Sequence, residues 1–81
     1  MPKYFFHLRD GTDVLLDPDG RELLHDAAAA TEALEEARSL MSHEVLTGAL
    51  HLDQRIDVED DQGRVVHRQL FRDAVRINGR S

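Results

Sequence analysis

The sequence predicts a two-layer α+β domain of order β-β-α-β-β, with an antiparallel sheet of about four strands and one long helix packed on one face. Three observations lead there. Segments near both ends alternate apolar and polar residues with period two. The stretch between them repeats its apolar residues at spacings of three and four. Two similar D-x-x-G-R segments, at Asp17–Arg21 and Asp60–Arg64, have the chemistry of tight turns. Strands on either side of a single amphipathic helix pack most simply as one sheet under that helix.

Residues Lys3 to Arg9 read as a strand, with Tyr4, Phe6 and Leu8 on one side and Phe5, His7 and Arg9 on the other. The three adjacent aromatics have high β-propensity. Asp10-Gly11 breaks this strand, and Val14, Leu15 and Leu16 form a second one. Asp17-Pro18-Asp19-Gly20 then suits a type I turn closed by a glycine bulge, a common hairpin connector. Asp26 is the expected N-cap of a helix running from Ala27 to about Thr47. Its apolar stripe is Ala30, Ala33, Leu34, Ala37, Leu40, Met41 and Val45, with Glu32, Glu35, Glu36, Ser39 and His43 opposite. Glu35 and Arg38 are placed to pair at i,i+3. Gly48 stands where a helix end calls for a left-handed residue. Small alanines in the stripe let the helix approach the bulky residues of the sheet.

Alternation returns at Ile56 and Val58, set between Asp57 and Glu59. Asp60-Asp61-Gln62-Gly63 repeats the earlier turn chemistry, and Arg64 to Phe71 forms the returning strand. Asp73 to Ile77 adds a helical turn or an irregular tail, and residues 78–81 are expected to fray. The reading is therefore one domain over residues 1–77, with Gly20, Asp26, Gly48 and Gly63 as its structural turns and caps.

A chain of 81 residues has room for one modest core. It has no cysteine, which excludes disulfides and thiolate zinc sites. Its formal charge of -6 disfavours nucleic acid and anionic membrane surfaces as partners. No run approaches the roughly 20 apolar residues of a membrane span. The opening Met1–His7 lacks the apolar run of a signal peptide, so a cytoplasmic location is expected.

Motifs that carry chemistry are missing. Asp17, Asp19 and Glu22, or Asp57, Glu59 and Asp61, could present oxygens to calcium, but the glycine spacings do not fit an EF-hand and Arg68 stands where the closing glutamate belongs. His7, His25, His43, His51 and His67 show no metal-ligand spacing, and His7 in the aromatic strand reads as a buried neutral imidazole. Ser42 beside His43 is no dyad, because adjacent helical positions point apart. Glu44 falls within the apolar stripe and is expected to reach water or an arginine. No catalytic residue, cofactor site or metal site is assigned, and the chain is not expected to be an enzyme.

Arg64, Arg68, Arg72, Arg76 and Arg80 recur at every fourth position. They suggest either a basic strip for an acidic partner or cross-strand pairing with Asp57, Glu59 and nearby acids. Pairing is the favoured expectation.

Several segments together resemble a known family. They are Pro2-Lys3-Tyr4-Phe5-Phe6-His7-Leu8-Arg9-Asp10-Gly11, Asp17-Pro18-Asp19-Gly20-Arg21-Glu22-Leu23, the helix through Ala37-Arg38, Val58-Glu59-Asp60-Asp61-Gln62-Gly63-Arg64-Val65 and Phe71-Arg72-Asp73-Ala74. The chain is similar over nearly its whole length to short uncharacterised bacterial proteins, mainly alphaproteobacterial, that form a domain of unknown function. The resemblance implies a bacterial, stand-alone small domain and brings no catalytic residues with it. The expected function is a non-enzymatic protein-interaction or regulatory module that self-associates, as a homodimer, or docks on another protein. Its candidate interaction surface is Tyr4, Phe5, Arg64, Arg68 and Arg72. The alternative is a small nucleic-acid- or metal-binding regulatory protein.

Overall fold

A computed structural model describes residues 1–79. The elements are β1 (Lys3–Asp10), β2 (Asp13–Leu15), β3 (Arg21–Glu22), α1 (Asp26–Leu46), β4 (Arg55–Glu59), β5 (Val65–Leu70) and the helical turn α2 (Phe71–Ala74). The sheet is antiparallel in the order β2-β1-β4-β5, with β3 also pairing β1. The α+β reading holds, with the first expected hairpin arm divided in two. Of the frayed tail expected at 78–81, residues 80 and 81 lie outside the described residues.

That division corrects one turn. The D-x-x-G segment at residue 17 is not a hairpin connector, because β2 and β3 both run antiparallel to β1: Leu8 pairs Leu15 and Tyr4 pairs Arg21. The hairpin itself turns at Gly11-Thr12. Residues 16–20 form an arch that leaves the edge and returns to it. The arch leaves β1 groups unpaired, and Asp17 takes their place. Its Oδ2 accepts the Phe6 N–H at 3.1 Å, while its own N–H donates to His7 Nδ1 at 3.1 Å. Asp17 Oδ1 accepts from the N–H groups of Asp19 and Gly20. Burial alone would raise the Asp17 carboxyl, but the bonds from Phe6, Gly20 and Asp19 and the Arg21 charge outweigh it and hold the group below its ordinary value.

The second D-x-x-G segment is a hairpin, as expected. Asp60 N–H donates to Arg64 O, and Asp60 Oδ1 accepts from the N–H groups of Gln62 and Arg64. The register shifts between Val58 and Glu59, leaving Val66 as the extra residue of a bulge in β5. The strand stops at Leu70, where Phe71 N–H bonds back to Gln54 O and the Phe71 ring enters the core.

The helix buries Ala29, Ala33, Ala37 and Met41, a straight i,i+4 ridge. The expected stripe is thus displaced at both ends: Ala29 rather than Ala30 is fully buried, and Val45 is 59% exposed. Against the ridge stand Tyr4, Phe6, Ile56 and Val58 from the sheet, with Phe71 and Ala74 closing the end. His25, not Asp26, is the N-cap, since its Nδ1 accepts from Ala28 N–H. Asp26 is instead the first helical residue and accepts the Tyr4 hydroxyl at 2.7 Å. Gly48 does take the left-handed conformation after the helix. Arg38 does not pair with Glu35; its Nε donates to Ala74 O and ties α1 to α2.

Ala33→Leu or Ala37→Leu should overpack the interface and cost about 1–3 kcal/mol, read as a lower midpoint in urea; an unchanged midpoint would contradict the close approach. The Tyr4 hydroxyl is pushed up to about 12 by its bond to Asp26, with burial and neighbouring carboxylates adding to it. An unfolded tyrosine ionises near about 10, so the stability from this bond is complete below about pH 10 and is lost as pH climbs through the folded value. The chain has a single tyrosine, so phenolate absorbance reports it directly. Asp26→Asn should move the midpoint back towards the ordinary tyrosine value.

Candidate functional site

A sheet with a helix on one side leaves two edges, at β2 and β5, and one open face to consider. At the β2 edge, Val14, Leu15 and Leu16 are three consecutive apolar residues, exposed at 40%, 69% and 65%. Among the described residues no strand pairs beyond β2, which leaves its outward N–H and C=O groups without a strand partner. Because the arch swings away here, a groove of about 470 Å³ opens on the helix side of the sheet. Phe6, Leu8, Leu40 and Ile56 line it, with Leu15, Leu16 and Pro18 along the rim. Arg21 spans one end: its guanidinium lies 4.5 Å over the Phe6 ring and donates to Glu32 and Glu36 at 2.9 and 3.2 Å. A smaller groove of about 450 Å³ lies between Arg38, Met41 and Val45 of α1 and the segment Val75–Asn78.

The face away from α1 is laid out by the strand register. One row runs Val14, Arg9, Arg55, Leu70; the next is His7, Asp57, Arg68; the third is Phe5, Glu59, Val65. Asp57 sits at the centre and is only 2% exposed, covered by arginine stems. Arg9 Nε is 2.6 Å from its Oδ2, an ion pair without an aligned hydrogen bond. Arg55 Nε donates to Oδ1 at 3.0 Å, and Arg68 Nε lies 3.5 Å from the same oxygen. Beside them His7 is buried, its ring stacked on Phe5 at 6.4 Å and its Nε2 3.7 Å from Glu59.

The sequence-derived surface residues scatter over this framework. Phe5 and Arg68 do share the open face. Tyr4 does not: it points the other way into the core, so its place on the interaction surface is corrected to a packing role. The arginine series is not one strip. Arg64 Nε donates to Asp60 at 2.8 Å inside the hairpin turn, and Arg72 lies on α2 beside Asp53 at 3.4 Å. The Val66 bulge and the end of β5 at Leu70 break the period that the spacing suggested. Pairing with Asp57, the favoured reading for Arg68, is observed. Arg9 and Arg55 were missed: Arg55 shares a face with Asp57 two residues along β4, whereas only the β1–β4 register brings Arg9 to the same carboxylate. Their signal was the charge alternation Arg55, Asp57, Glu59 and the placement of Arg9 on the polar side of β1.

The other candidates resolve locally. His25 caps α1, His43 Nδ1 is 2.9 Å from Ser39 O, and His67 Nε2 is 3.3 Å from Gln69 Oε1. Glu44 accepts from the His51 N–H, not from an arginine. Among the described residues no group of three or more histidine and carboxylate side chains is placed to hold a metal, and no helix is long and apolar enough to cross a membrane.

A family model described as a domain of unknown function, DUF6894, matches residues 3–72. No curated protein and no solved structure matches the chain.

The arch that opens the groove yields a paired prediction. Gly20 and Gly63 both have positive φ, 71° and 79°. A Cβ at Gly20 would also meet Lys3 Cγ, Phe5 Cε2 and Tyr4 O at 2.9 Å, whereas one at Gly63 meets nothing within 4 Å. Gly63→Ala should cost about 1 kcal/mol through backbone strain, and Gly20→Ala clearly more. Equal losses in thermal melts would show that the arch does not pack on β1.

Proposed function

The chain belongs to the DUF6894 family, and from that premise we propose that it is a non-enzymatic protein-interaction module that self-associates through the β2 edge. The observation that carries this reading is the exposed run Val14-Leu15-Leu16 along the outer edge of the sheet at β2, beside an apolar groove. Natural edges are blunted by charge, bulges or cover, and a run of three exposed apolar residues is retained where something packs on it. An antiparallel strand can pair with its own copy about a two-fold axis, which is the commonest closed symmetry. The leucines of each copy would then lie over the groove of the other. We place this activity in a bacterial cell, a reading supported by the resemblance of the chain to a bacterial family.

The test is solution mass by size-exclusion chromatography with light scattering over a concentration series. The expected result is a species of twice 9.2 kDa at high concentration. A Leu15→Glu, Leu16→Glu variant should be monomeric with a thermal midpoint close to that of the parent, because both side chains are already exposed. A parent that stays monomeric overturns self-association. A dimer that survives both substitutions overturns the β2 edge as its seat.

A further inference from the structure

We infer that Arg9, Arg55 and Arg68 on the open face of the sheet form a docking site for an acidic, apolar-flanked segment of a partner protein. The inference rests on reading the chain as an interaction module but not on its self-association.

One carboxylate, Asp57, faces three guanidinium groups, so the cluster holds two positive charges in excess. Glu59 lies on the same face and has His7 as its neighbour, and it leaves the face as a whole still positive. A structural ion pair needs one arginine for each carboxylate. Here each arginine approaches Asp57 through its Nε. The terminal nitrogens of Arg9, Arg55 and Arg68 donate no hydrogen bond among the described residues. These are the atoms that form the fork with which arginine grips a carboxylate.

The surroundings select the kind of partner. Val14 and Leu70 are exposed at the two ends of the first row and Val65 at the outer end of the third, and half-buried Phe5 fills the remaining corner. A polar centre inside an apolar rim suits a peptide whose acidic side chain enters the middle while its apolar neighbours cover the edge. Nucleic acid asks instead for a track of basic groups that follows successive phosphates. This chain has one compact cluster on a protein of net charge -6. Much of the acidic excess lies on α1, on the far side of the sheet, at Glu32, Glu35 and Glu36. Salt screens charges at that remove, with a Debye length of about 8 Å at physiological ionic strength, and the local excess then dominates at contact.

The experiment uses the full chain and a blocked peptide that alternates glutamate with valine. Binding is followed by calorimetry and by the arginine Nε–H signals in nuclear magnetic resonance. The expected result is salt-sensitive binding that shifts the signals of Arg9, Arg55 and Arg68. Arg68→Gln with Arg55→Gln should weaken it by about tenfold or more, with the thermal midpoint measured alongside to show that the variant is folded. A matched glutamine–valine peptide should bind far more weakly. Inorganic phosphate and a single-stranded oligonucleotide are the remaining arms. If phosphate alone binds as well as the peptide, the site is a simple anion site and the inference fails. If the oligonucleotide binds more tightly, the partner is nucleic acid and it fails again. No binding, or binding unchanged in the double variant, also overturns it. Each of these results is independent of the mass measurement that tests self-association.

Discussion

The close approach of α1 to the sheet is the constraint on which everything else depends. Ala29, Ala33 and Ala37 have no exposed surface, and they present nothing beyond a methyl group to the strands. The volume of the core therefore comes from the other layer, as Tyr4, Phe6, Ile56 and Val58, and from Phe71 at its end. Such an interface works only with the helix at one height, and the Tyr4–Asp26 bond pins that height at the helix N-terminus. A hydroxyl buried this deeply must find a partner, so the same residue supplies both bulk and registry.

One helix covers one face, and among the described residues there is no second long helix for the other. The opposite face must then remain compatible with water while its central strands stay flanked on both sides. Charge alternation along β1 and β4 meets both demands, with long arginine stems shielding the middle of the sheet. The arch at residues 16–20 is a second consequence of smallness. The strand opposite β1 is interrupted, and Asp17 substitutes side-chain oxygens for the missing backbone partner. That substitution preserves β1 while turning the edge outward, which creates the groove and exposes Leu15 and Leu16 together.

Much of the fold was legible because it rests on local periodicity. The helix, its alanine stripe, both faces of β1 and the second hairpin all follow from spacing and turn chemistry. The errors have physical causes. The stripe is displaced at its ends because an i,i+4 ridge winds around the helix by about 40° at each step, whereas an i,i+3/i+4 stripe runs along the axis. His25 displaced Asp26 as the cap because Asp26 was drawn to Tyr4, a contact 22 residues distant that no local pattern encodes. The first D-x-x-G segment has the same residue types as the second, yet it became an arch because its flanking strands share β1 as a neighbour instead of pairing each other. Chemistry set the turn, and topology decided its use. The candidate surface was legible in part for the same reason. Phe5, Arg55 and Arg68 could be placed by alternation, but Arg9 meets Asp57 only through a register fixed across a long loop and a helix.

The arginine cluster is more than this fold needs for stability. Burying a carboxylate is costly, and an ion pair at best offsets that cost. A single arginine beside Asp57 would satisfy the charge, and threonine or valine at the other positions would favour the strands more. Solubility does not call for the excess either, since the chain is already acidic. Exposed guanidinium groups contribute little through pairing; Arg68 has a side chain 62% open to solvent. What the arrangement does provide is a set of aimed donors, held by a dry carboxylate beneath them and bordered by apolar side chains. Preorganisation of that kind lowers the ordering cost of binding and adds little to the free domain. The helix face and the core explain how the chain folds, whereas the composition of the open face follows more readily from something that docks there.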